Sequence, residues 1–209
     1  MDELKTIDNK VTAEVEEKRS RFIANIFYIK SAIEAENIIK QTKKKYYDAR
    51  HNCYAYIVKE EQMIKKSSDD GEPSGTAGSP ILNVIEKNGL CNVLVIVTRY
   101  FGGILLGTGG LVRAYTEATI KAIGKANIVL QEEGYEIEII TTYSDIEKIK
   151  YYCNKNQIKI SNIEYEENVK CTIEISEKEK NKLLDNYKYN EKIGNILKYS
   201  IIKKKYIRK

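Results

Sequence analysis

The feature that most constrains the fold is one segment, residues 68–80, which contains both prolines of the chain, three glycines and three carboxylates. Proline fixes φ and removes an amide donor, and glycine adopts backbone conformations closed to other residues. The segment therefore predicts a shaped loop that another molecule can approach closely. A second glycine cluster, residues 99–110, follows the apolar run 93–97. We expect the two loops to form one composite surface.

Strand patterns dominate the first part of the chain. Residues 11–17 alternate between polar and apolar side chains and are predicted to pair as a hairpin with the apolar run 22–29. Residues 53–58 and 93–97 indicate buried strands, and 63–67 is expected to return beside 53–58. These runs predict a sheet as the centre of the first domain.

Helices are predicted between those strands. Ser31 precedes Glu34 by three residues, which is the capping-box spacing and predicts a helix over 32–46. A short helix is expected over 80–87. A longer one follows the second glycine cluster and ends near Gly124, because small and apolar residues recur there at the spacing of one helix face.

The pattern changes beyond Gly124, where glycine becomes scarce and strict alternation appears. The predicted order is strand, helix, strand, strand, helix, strand, which is the split βαβ or ferredoxin-like arrangement. Its strands are expected near 135–139, 158–165, 169–175 and 196–202. We therefore predict an α+β protein of two domains, 1–126 and 127–209.

Two more capping-box spacings place the helices of the second domain. Ser144 precedes Glu147 by three residues, and Ser176 precedes Glu179 in the same way. Apolar residues at helical spacing follow each pair. We expect a helix to begin after each serine.

Cysteine and histidine usage argues against a structural zinc site. The four cysteines, Cys53, Cys91, Cys153 and Cys171, are widely spaced, and the sequence has a single histidine. We expect reduced, buried thiols in a cytoplasmic protein, with no metal and no cofactor. The start of the sequence shows no apolar signal region, and the longest strictly aliphatic run is too short to span a membrane.

The charge balance says little about a partner. The net charge of +5 does not by itself identify a nucleic-acid ligand. The stretch 198–209 contains six basic residues and no acidic residue, which predicts local positive potential. A polyanion contact and a solvated, frayed end both remain open for it.

Polar residues cluster before the strand at 53–58. They are Asp48, Arg50, His51 and Asn52. Histidine transfers protons near neutral pH, and a carboxylate of the 68–80 segment can orient it or bind a divalent ion. A hydrolase-type site is therefore open beside a structural or binding role.

The start of the predicted helix near residue 107 suits an anion. Gly107, Thr108, Gly109 and Gly110 offer amides at the positive end of a helix dipole. The spacing does not match a nucleotide-binding fingerprint, and close packing explains these glycines equally well. Arg99 and Arg113 flank the cluster and are expected to contact phosphates, and Tyr100 and Phe101 are expected to stack on bases, which favours a polyanion. Burial of the aromatic rings is the alternative.

Three segments carry a specific resemblance. They read Asp48-Ala49-Arg50-His51-Asn52-Cys53-Tyr54-Ala55-Tyr56, Asp69-Asp70-Gly71-Glu72-Pro73-Ser74-Gly75-Thr76-Ala77-Gly78, and Val97-Thr98-Arg99-Tyr100-Phe101-Gly102-Gly103 with Gly107-Thr108-Gly109-Gly110-Leu111-Val112-Arg113-Ala114-Tyr115. Together they resemble the YigZ/IMPACT family, over about residues 20–126. The C-terminal half is similar to the bacterial branch by its order of elements. Thr108 stands where a small residue is common in the family.

The resemblance implies an N-terminal domain like the second domain of a small-subunit ribosomal protein. It implies a C-terminal ferredoxin-like βαββαβ domain like the last domain of elongation factor G. Both relatives act on ribosomal RNA, and eukaryotic family members are linked to translational control. The family implies no established catalytic residue.

We therefore expect a cytoplasmic nucleic-acid- or ribosome-associated factor that influences translation, with RNA or the ribosome as partner and no membrane contact. A hydrolase-type enzyme and a protein-interaction module, which would bind a protein partner, remain the alternatives. The expected binding surface comprises Asp48, Arg50, His51, Asn52, Asp69, Asp70, Gly71, Glu72, Ser74, Gly75, Thr76, Gly78, Arg99, Tyr100, Phe101, Gly102, Gly103, Gly107, Gly109, Gly110 and Arg113.

Overall fold

The structure, a computed structural model, describes residues 4–186 and 194–208. The chain divides into two compact units, Leu4–Leu130 and a second that begins at Gln131. Both combine helices with a sheet, so the predicted α+β class is observed. Among the described helices, none has the length and apolar character needed to cross a membrane.

The N-terminal unit is built on an antiparallel sheet. The strands of this sheet are β2 (Val11–Glu17), β3 (Ser20–Tyr28), β4 (His51–Lys59), β5 (Met63–Ser68) and β6 (Val93–Tyr100). The unit also contains β1 (Leu4–Ile7), which is not a strand of this sheet. Its helices are α1 (Ala32–Lys45), α2 (Gly78–Lys87) and α3 (Gly107–Lys125). The sheet order is β2-β3-β6-β4-β5, which confirms the predicted hairpin and the return of β5 beside β4.

The two sides of this sheet pack against different helices because side chains alternate along each strand. Cys53, Ala55 and Ile57 of β4 join the core that includes residues of α2 and α3. Tyr54 and Tyr56 point to the other side and join the core that includes residues of α1. Strand β4 is therefore buried on both faces.

The helix boundaries follow from their caps. Ser31 Oγ accepts from the Glu34 amide at 3.1 Å, and the Glu34 carboxylate accepts from the Lys30 amide at 2.8 Å, so α1 starts where predicted. Helix α3 ends at Lys125, next to the predicted end at Gly124. Helix α2 begins at Gly78, two residues before the predicted start, because its first amides are capped from the preceding loop.

The C-terminal unit has the predicted order of elements. They are β7 (Ile128–Thr141), α4 (Ile146–Lys155), β8 (Lys159–Tyr165), β9 (Val169–Ser176), α5 (Glu177–Asn186) and β10 (Ile196–Arg208), and the unit takes β7 from Gln131 onward. Antiparallel pairing gives the order β10-β7-β9-β8, as a split βαβ arrangement requires. Ile137, Ile139, Ile173 and Ile175 form the centre of its core.

One of the two predicted caps in this unit is wrong. Ser176 Oγ accepts from the Glu179 amide at 3.2 Å, as expected. Helix α4 instead follows Asp145, and that residue makes no side-chain cap hydrogen bond. Ser144 interacts with the Thr142 hydroxyl at 2.9 Å, which takes it away from the helix amides.

The basic C-terminal stretch is a paired strand rather than a free positive tail. Strand β10 continues to Arg208, well past the predicted end near 202. Lys204 Nζ lies 2.8 Å from a Glu133 oxygen, and Lys205 Nζ lies 2.8 Å from a Glu174 oxygen. Acidic residues of β7 and β9 therefore neutralise part of the expected positive potential.

Candidate functional site

One edge of the N-terminal sheet collects the segments singled out in the sequence. Strands β3 and β4 begin at this edge, where Arg21 pairs with Tyr100 and His51 pairs with Arg99. Strand β6 ends there, and β5 also ends there, with Ser68 opposite Tyr54. Both glycine-rich loops therefore leave the sheet at the same edge.

Asp69 organises the first loop through backbone donors. Its carboxylate accepts from the amides of Gly75 at 2.9 Å, Ala77 at 2.9 Å and Gly78 at 2.8 Å. Partial burial opposes ionisation, but these three donations outweigh it and hold the pKa of Asp69 below its ordinary value. The carboxylate supplies the cap that α2 lacks at its own N-cap residue.

Asp70 connects this loop to α1 and β4. One carboxylate oxygen lies 2.5 Å from Lys43 Nζ, and the other accepts from the backbone amide of Asn52 at 2.7 Å. Its carbonyl oxygen lies 2.8 Å from His51 Nδ1. Since a carbonyl only accepts, that ring nitrogen carries the proton and donates. Asp70 itself has a positive φ of 44°, a conformation that these contacts fix.

Glu72 lies at the centre of the site and is buried. Its Oε1 accepts from Arg99 Nη1 at 2.7 Å and from the Tyr115 hydroxyl at 2.9 Å. The two charged side chains are only 3% and 7% exposed. His51 Nε2 lies 3.9 Å from the other Glu72 oxygen. The buried pair joins the first loop to the end of β6 and to α3.

Cys53 completes this buried group from β4. Its Sγ lies 2.9 Å from the Asp69 carbonyl oxygen and 3.2 Å from the Tyr115 hydroxyl. Burial raises the pKa of the Cys53 thiol to about 12, so it is a neutral thiol at physiological pH. Burial, followed by the effect of Cys53, also raises the pKa of Tyr115. Both groups act as neutral hydrogen-bonding partners.

Arg99 corrects one expectation. It was predicted to bind phosphate at the surface, but its guanidinium is buried and paired with Glu72. It also lies 5.4 Å from the Phe22 ring and 5.6 Å from the Phe101 ring. Its Nε is buried and has no hydrogen-bond partner within the described chain.

Phe101 is the point where the buried site meets the surface. Its ring is 40% exposed and lies 5.7 Å from the guanidinium carbon of Arg50, which is itself exposed. The guanidinium carbon of Arg99 also lies 5.6 Å from this ring, so the ring interacts with two guanidinium groups. Arg50 and Phe101 give this edge an accessible cation next to an accessible aromatic ring.

Gly102 lets the second loop approach the β2–β3 turn. A Cβ at this position would lie 2.0 Å from the Arg19 carbonyl carbon, so only glycine fits. Its amide donates to Ser20 Oγ at 3.1 Å. Lys18 and Arg19, at φ of 46° and 64°, adopt the left-handed conformation of a two-residue type I′ hairpin.

Other predicted residues have structural partners at the same edge. The Tyr100 hydroxyl donates to Asp48 at 2.9 Å, and Asn52 accepts from the Thr98 hydroxyl at 2.8 Å. Thr76 is buried and bonds to the Pro73 carbonyl oxygen at 2.6 Å. A left-handed backbone explains Gly71, Gly75 and Gly103, and close packing against the Ser68 backbone explains Gly78. Ser74 and Gly75 lie exposed in the first loop.

The last part of the second loop, residues 107–110, lies in the first turn of α3, away from the carboxylates of the first loop. Gly107 and Gly109 are exposed in its first turn, and Gly110 is buried against Leu106. A Cβ at Gly109 would lie 3.7 Å from an Arg113 nitrogen, which brings that exposed arginine to this turn. In the described parts of the chain, no hydrogen bond or ion pair joins this turn to the carboxylates of the first loop.

Sequence comparison identifies the family of the chain. The model of the Impact N-terminal domain matches residues 18–123, and a domain of unknown function, DUF1949, matches residues 139–185. The IMPACT family member YvyE of Bacillus subtilis is 38% identical over 164 residues, covering 78% of this chain and 76% of that protein. The chain belongs to the YigZ/IMPACT family.

Further comparisons agree with this family. The IMPACT family member YigZ of Escherichia coli is 33% identical over 158 residues, covering 75% of this chain and 78% of that protein. A crystal structure titled as that of a hypothetical protein matches with a TM-score of 0.66 and 27% identity, over 96% of this chain and 97% of that chain. Each residue of the candidate site lies within the matched Impact N-terminal domain.

The sequence did not indicate several members of the site in this YigZ/IMPACT chain. Tyr115 was assigned to the helix face and to the segments that carry the family resemblance but not to the binding surface, yet its hydroxyl reaches Glu72. Ser20 and Lys43 were not singled out. The available signal in the sequence was that the Ser20 and Tyr115 side chains are polar although they face the buried edge of the sheet. Across the described residues, no group of three or more His, Cys, Asp or Glu side chains is arranged to hold a metal ion.

Proposed function

We propose that the chain is a cytoplasmic nucleic-acid- or ribosome-associated factor that influences translation, binding phosphate groups at the sheet edge described above. The strongest support is that the carboxylates of the first loop, residues 68–80, already have partners inside the chain. We call this segment the acidic loop. Asp69 is bound by three amides, Asp70 by Lys43 and Glu72 by Arg99. A phosphate near this edge therefore meets carboxylates whose charge already has partners.

Arg50 and Phe101 are the groups we propose to contact the polyanion. Arginine binds phosphate through several donors, and an exposed aromatic ring stacks on bases without regard to sequence. Arg113 at the start of α3 is a further proposed phosphate contact. We also propose domains at 1–126 and 127–209, similar to the ribosomal-protein and elongation-factor domains that the family resemblance implies.

Salt-dependent RNA binding tests this function. The two proposed arginine contacts, Arg50 and Arg113, predict a slope of log affinity against log salt of roughly −1.4 on a single strand, since each contact contributes about −0.7. Arg50→Gln is expected to reduce that slope by about 0.7. Lys125→Gln is the matched control, because Lys125 is an exposed cation at the far end of α3. Undetectable binding of the wild type to RNA and ribosomes would contradict the proposal.

A protein-interaction module is the second candidate, favoured by exposed apolar residues in the loop after β6. Ile104 is 42% exposed and Leu105 is 83% exposed, beside the partly exposed Phe101. Exposed apolar groups of this kind mark protein contacts. Affinity purification after RNase treatment separates the two candidates, because a direct protein partner persists when RNA is destroyed. A partner that Leu105→Ser releases would favour this candidate.

The hydrolase alternative finds weaker support in the geometry. Glu72 is buried and accepts from two other side chains, so it is not positioned as a free base. The His51 Nδ1 donates to a carbonyl oxygen, and Nε2 lies beyond hydrogen-bond distance from Glu72. These contacts describe a structural network.

A further inference from the structure

A groove lies along the second half of α1, on the side of the sheet where Tyr54 points. Its volume is about 650 Å³. Eight residues line it, namely Glu36, Asn37, Ile39, Lys40, Lys43, Lys44, Tyr47 and Tyr54. It uses none of the residues to which phosphate binding was assigned above, so it needs an explanation of its own.

The groove has a net positive charge when the charged side chains that are paired within the chain are left out of the count. Lys43 is paired with Asp70, and Glu36 is paired with Lys66 at 2.8 Å. Lys40 and Lys44 are exposed, and neither has an ion-pair partner in the described chain. They lie four residues apart on one helix face, about 6 Å along the axis. The two positive charges of Lys40 and Lys44 exceed the partial negative charge of about −0.5 at the C-terminal end of a helix, so this end of α1 remains positive.

Aromatic residues accompany these charges. Tyr47 lies just beyond the end of α1 and is 86% exposed, whereas Tyr54 is 8% exposed and forms part of the groove lining. A tyrosine ring left so open gains little from burial in the folded chain. Aromatic rings next to a basic groove are the combination that binds single-stranded nucleic acid, through stacking of bases and pairing of phosphates.

We propose that this groove binds single-stranded nucleic acid, with phosphates on Lys40 and Lys44 and a base stacked on Tyr47. The inference rests on the proposed function for its class of ligand, but it uses a different set of side chains. Lys43 and Asp70 connect α1 to the acidic loop, so the groove and the sheet edge belong to the same unit.

Tyr47→Trp provides a selective test, because the natural sequence contains no tryptophan. Titration with a 12-nucleotide oligouridylate is expected to quench the fluorescence of the new indole as a base stacks on it. Anisotropy of a labelled copy of the same oligonucleotide reports total binding. Anisotropy binding without any quenching would overturn the stacking contact.

The lysines are tested by Lys40→Gln with Lys44→Gln in one variant. The expected result is a loss of affinity of about tenfold or more at low salt, with the salt slope reduced by about 1.4 for two phosphate contacts. The matched control is Lys87→Gln with Lys125→Gln, which removes two exposed cations from α2 and α3. Tyr47→Ala is expected to weaken binding about fivefold or more. Circular dichroism checks that each variant is folded.

The outcomes separate this inference from the proposed function. Binding lost in the groove variant but kept in the control and in Arg50→Gln supports the groove and contradicts the sheet-edge contact. Binding lost in Arg50→Gln, with the groove variant equal to its control, overturns the groove and leaves the proposed function standing. Absence of any binding by the wild type overturns both.

Discussion

The N-terminal unit contains a buried ion pair, whereas each ion pair of the described C-terminal unit is at least partly exposed. In the N-terminal unit Glu72 and Arg99 are 3% and 7% exposed, and they join segments far apart in the sequence. In the C-terminal unit Lys203 pairs with Glu136 at 60% and 20% exposure, on neighbouring strands already joined by backbone hydrogen bonds. The buried pair defines the position of a loop, whereas the exposed pair follows from strand pairing.

The physical reason for the difference is solvation. A buried carboxylate or guanidinium has lost its water, so removal of one partner leaves an uncompensated charge. An exposed lysine exchanges its partner for water at little cost. The comparison predicts that equal changes of charge have unequal effects in the two units.

The largest effect is expected for Glu72→Gln. This change leaves the Arg99 guanidinium buried without a counter-charge and is expected to reduce the free energy of unfolding by about 3–5 kcal/mol. Denaturant unfolding followed by circular dichroism measures the loss, and hydrogen exchange locates it in the N-terminal unit. A loss below about 1 kcal/mol would place this pair in the same class as surface pairs.

Gly102→Ala tests the close approach at the sheet edge. The added Cβ would overlap the backbone of Arg19, so the β2–β3 turn must shift, at an expected cost of about 1–3 kcal/mol. Gly124→Ala is the control, because no atom lies within 4 Å of the Cβ position there. In the last turn of α3 the control is expected to be neutral or stabilising. Thermal unfolding of both variants makes the comparison, and equal melting temperatures would contradict it.

Asp69→Asn is expected to reduce stability by about 1–2 kcal/mol near pH 7. The amide side chain keeps one acceptor oxygen, but its NH₂ group opposes the remaining backbone donors. The pKa of Asp69 is lower in the folded chain than its ordinary 3.8, so its contribution is complete above that pH and is lost as pH falls through the folded pKa.

Unfolding curves of the wild type and the Asp69→Asn variant across pH 2–7 check this sign. The difference in unfolding free energy between the two proteins is expected to stay constant above the ordinary carboxyl pKa of 3.8 and to shrink as pH falls through and below it. A difference that grows with falling pH would mean that the carboxylate is not the acceptor of the three amides.

The smallest effect is expected for Lys203→Gln in the C-terminal unit. Its ammonium is largely exposed, and the expected change in unfolding free energy is about 0.5 kcal/mol or less, falling further with added salt. Denaturant unfolding at low and high salt measures it. A loss comparable with that of Glu72→Gln would remove the distinction between the two units.

The sequence predicted what depends on local pattern. Alternation gave the β2–β3 hairpin, and the serine caps of α1 and α5 were correct because both partners lie within one turn. The same spacing failed at Ser144, where Thr142 and Asp145 provide a competing set of hydrogen bonds. Strand β1 was not predicted, since Leu4–Ile7 is too short for a periodic signal.

The sequence predicted that the two glycine-rich loops form one composite surface. Both loops leave the sheet at the same edge, but within the described residues no hydrogen bond or ion pair joins the first turn of α3 to the carboxylates of the first loop. The sequence did not predict how the charges pair there. Arg99 was expected at the surface because its neighbours in the sequence form a loop, but its partner Glu72 is 27 residues away. Which polar groups are buried together depends on strand register, which local patterns do not specify.

Glu72 and Arg99 neutralise each other inside the N-terminal unit, and we infer that their pairing holds the acidic loop against the sheet edge. A double-mutant cycle with Glu72→Gln and Arg99→Met measures their coupling through denaturant unfolding. We predict that the double variant loses at least about 2 kcal/mol less stability than the sum of the single losses, because no unpaired charge remains buried. Losses that add within about 0.5 kcal/mol would contradict the account.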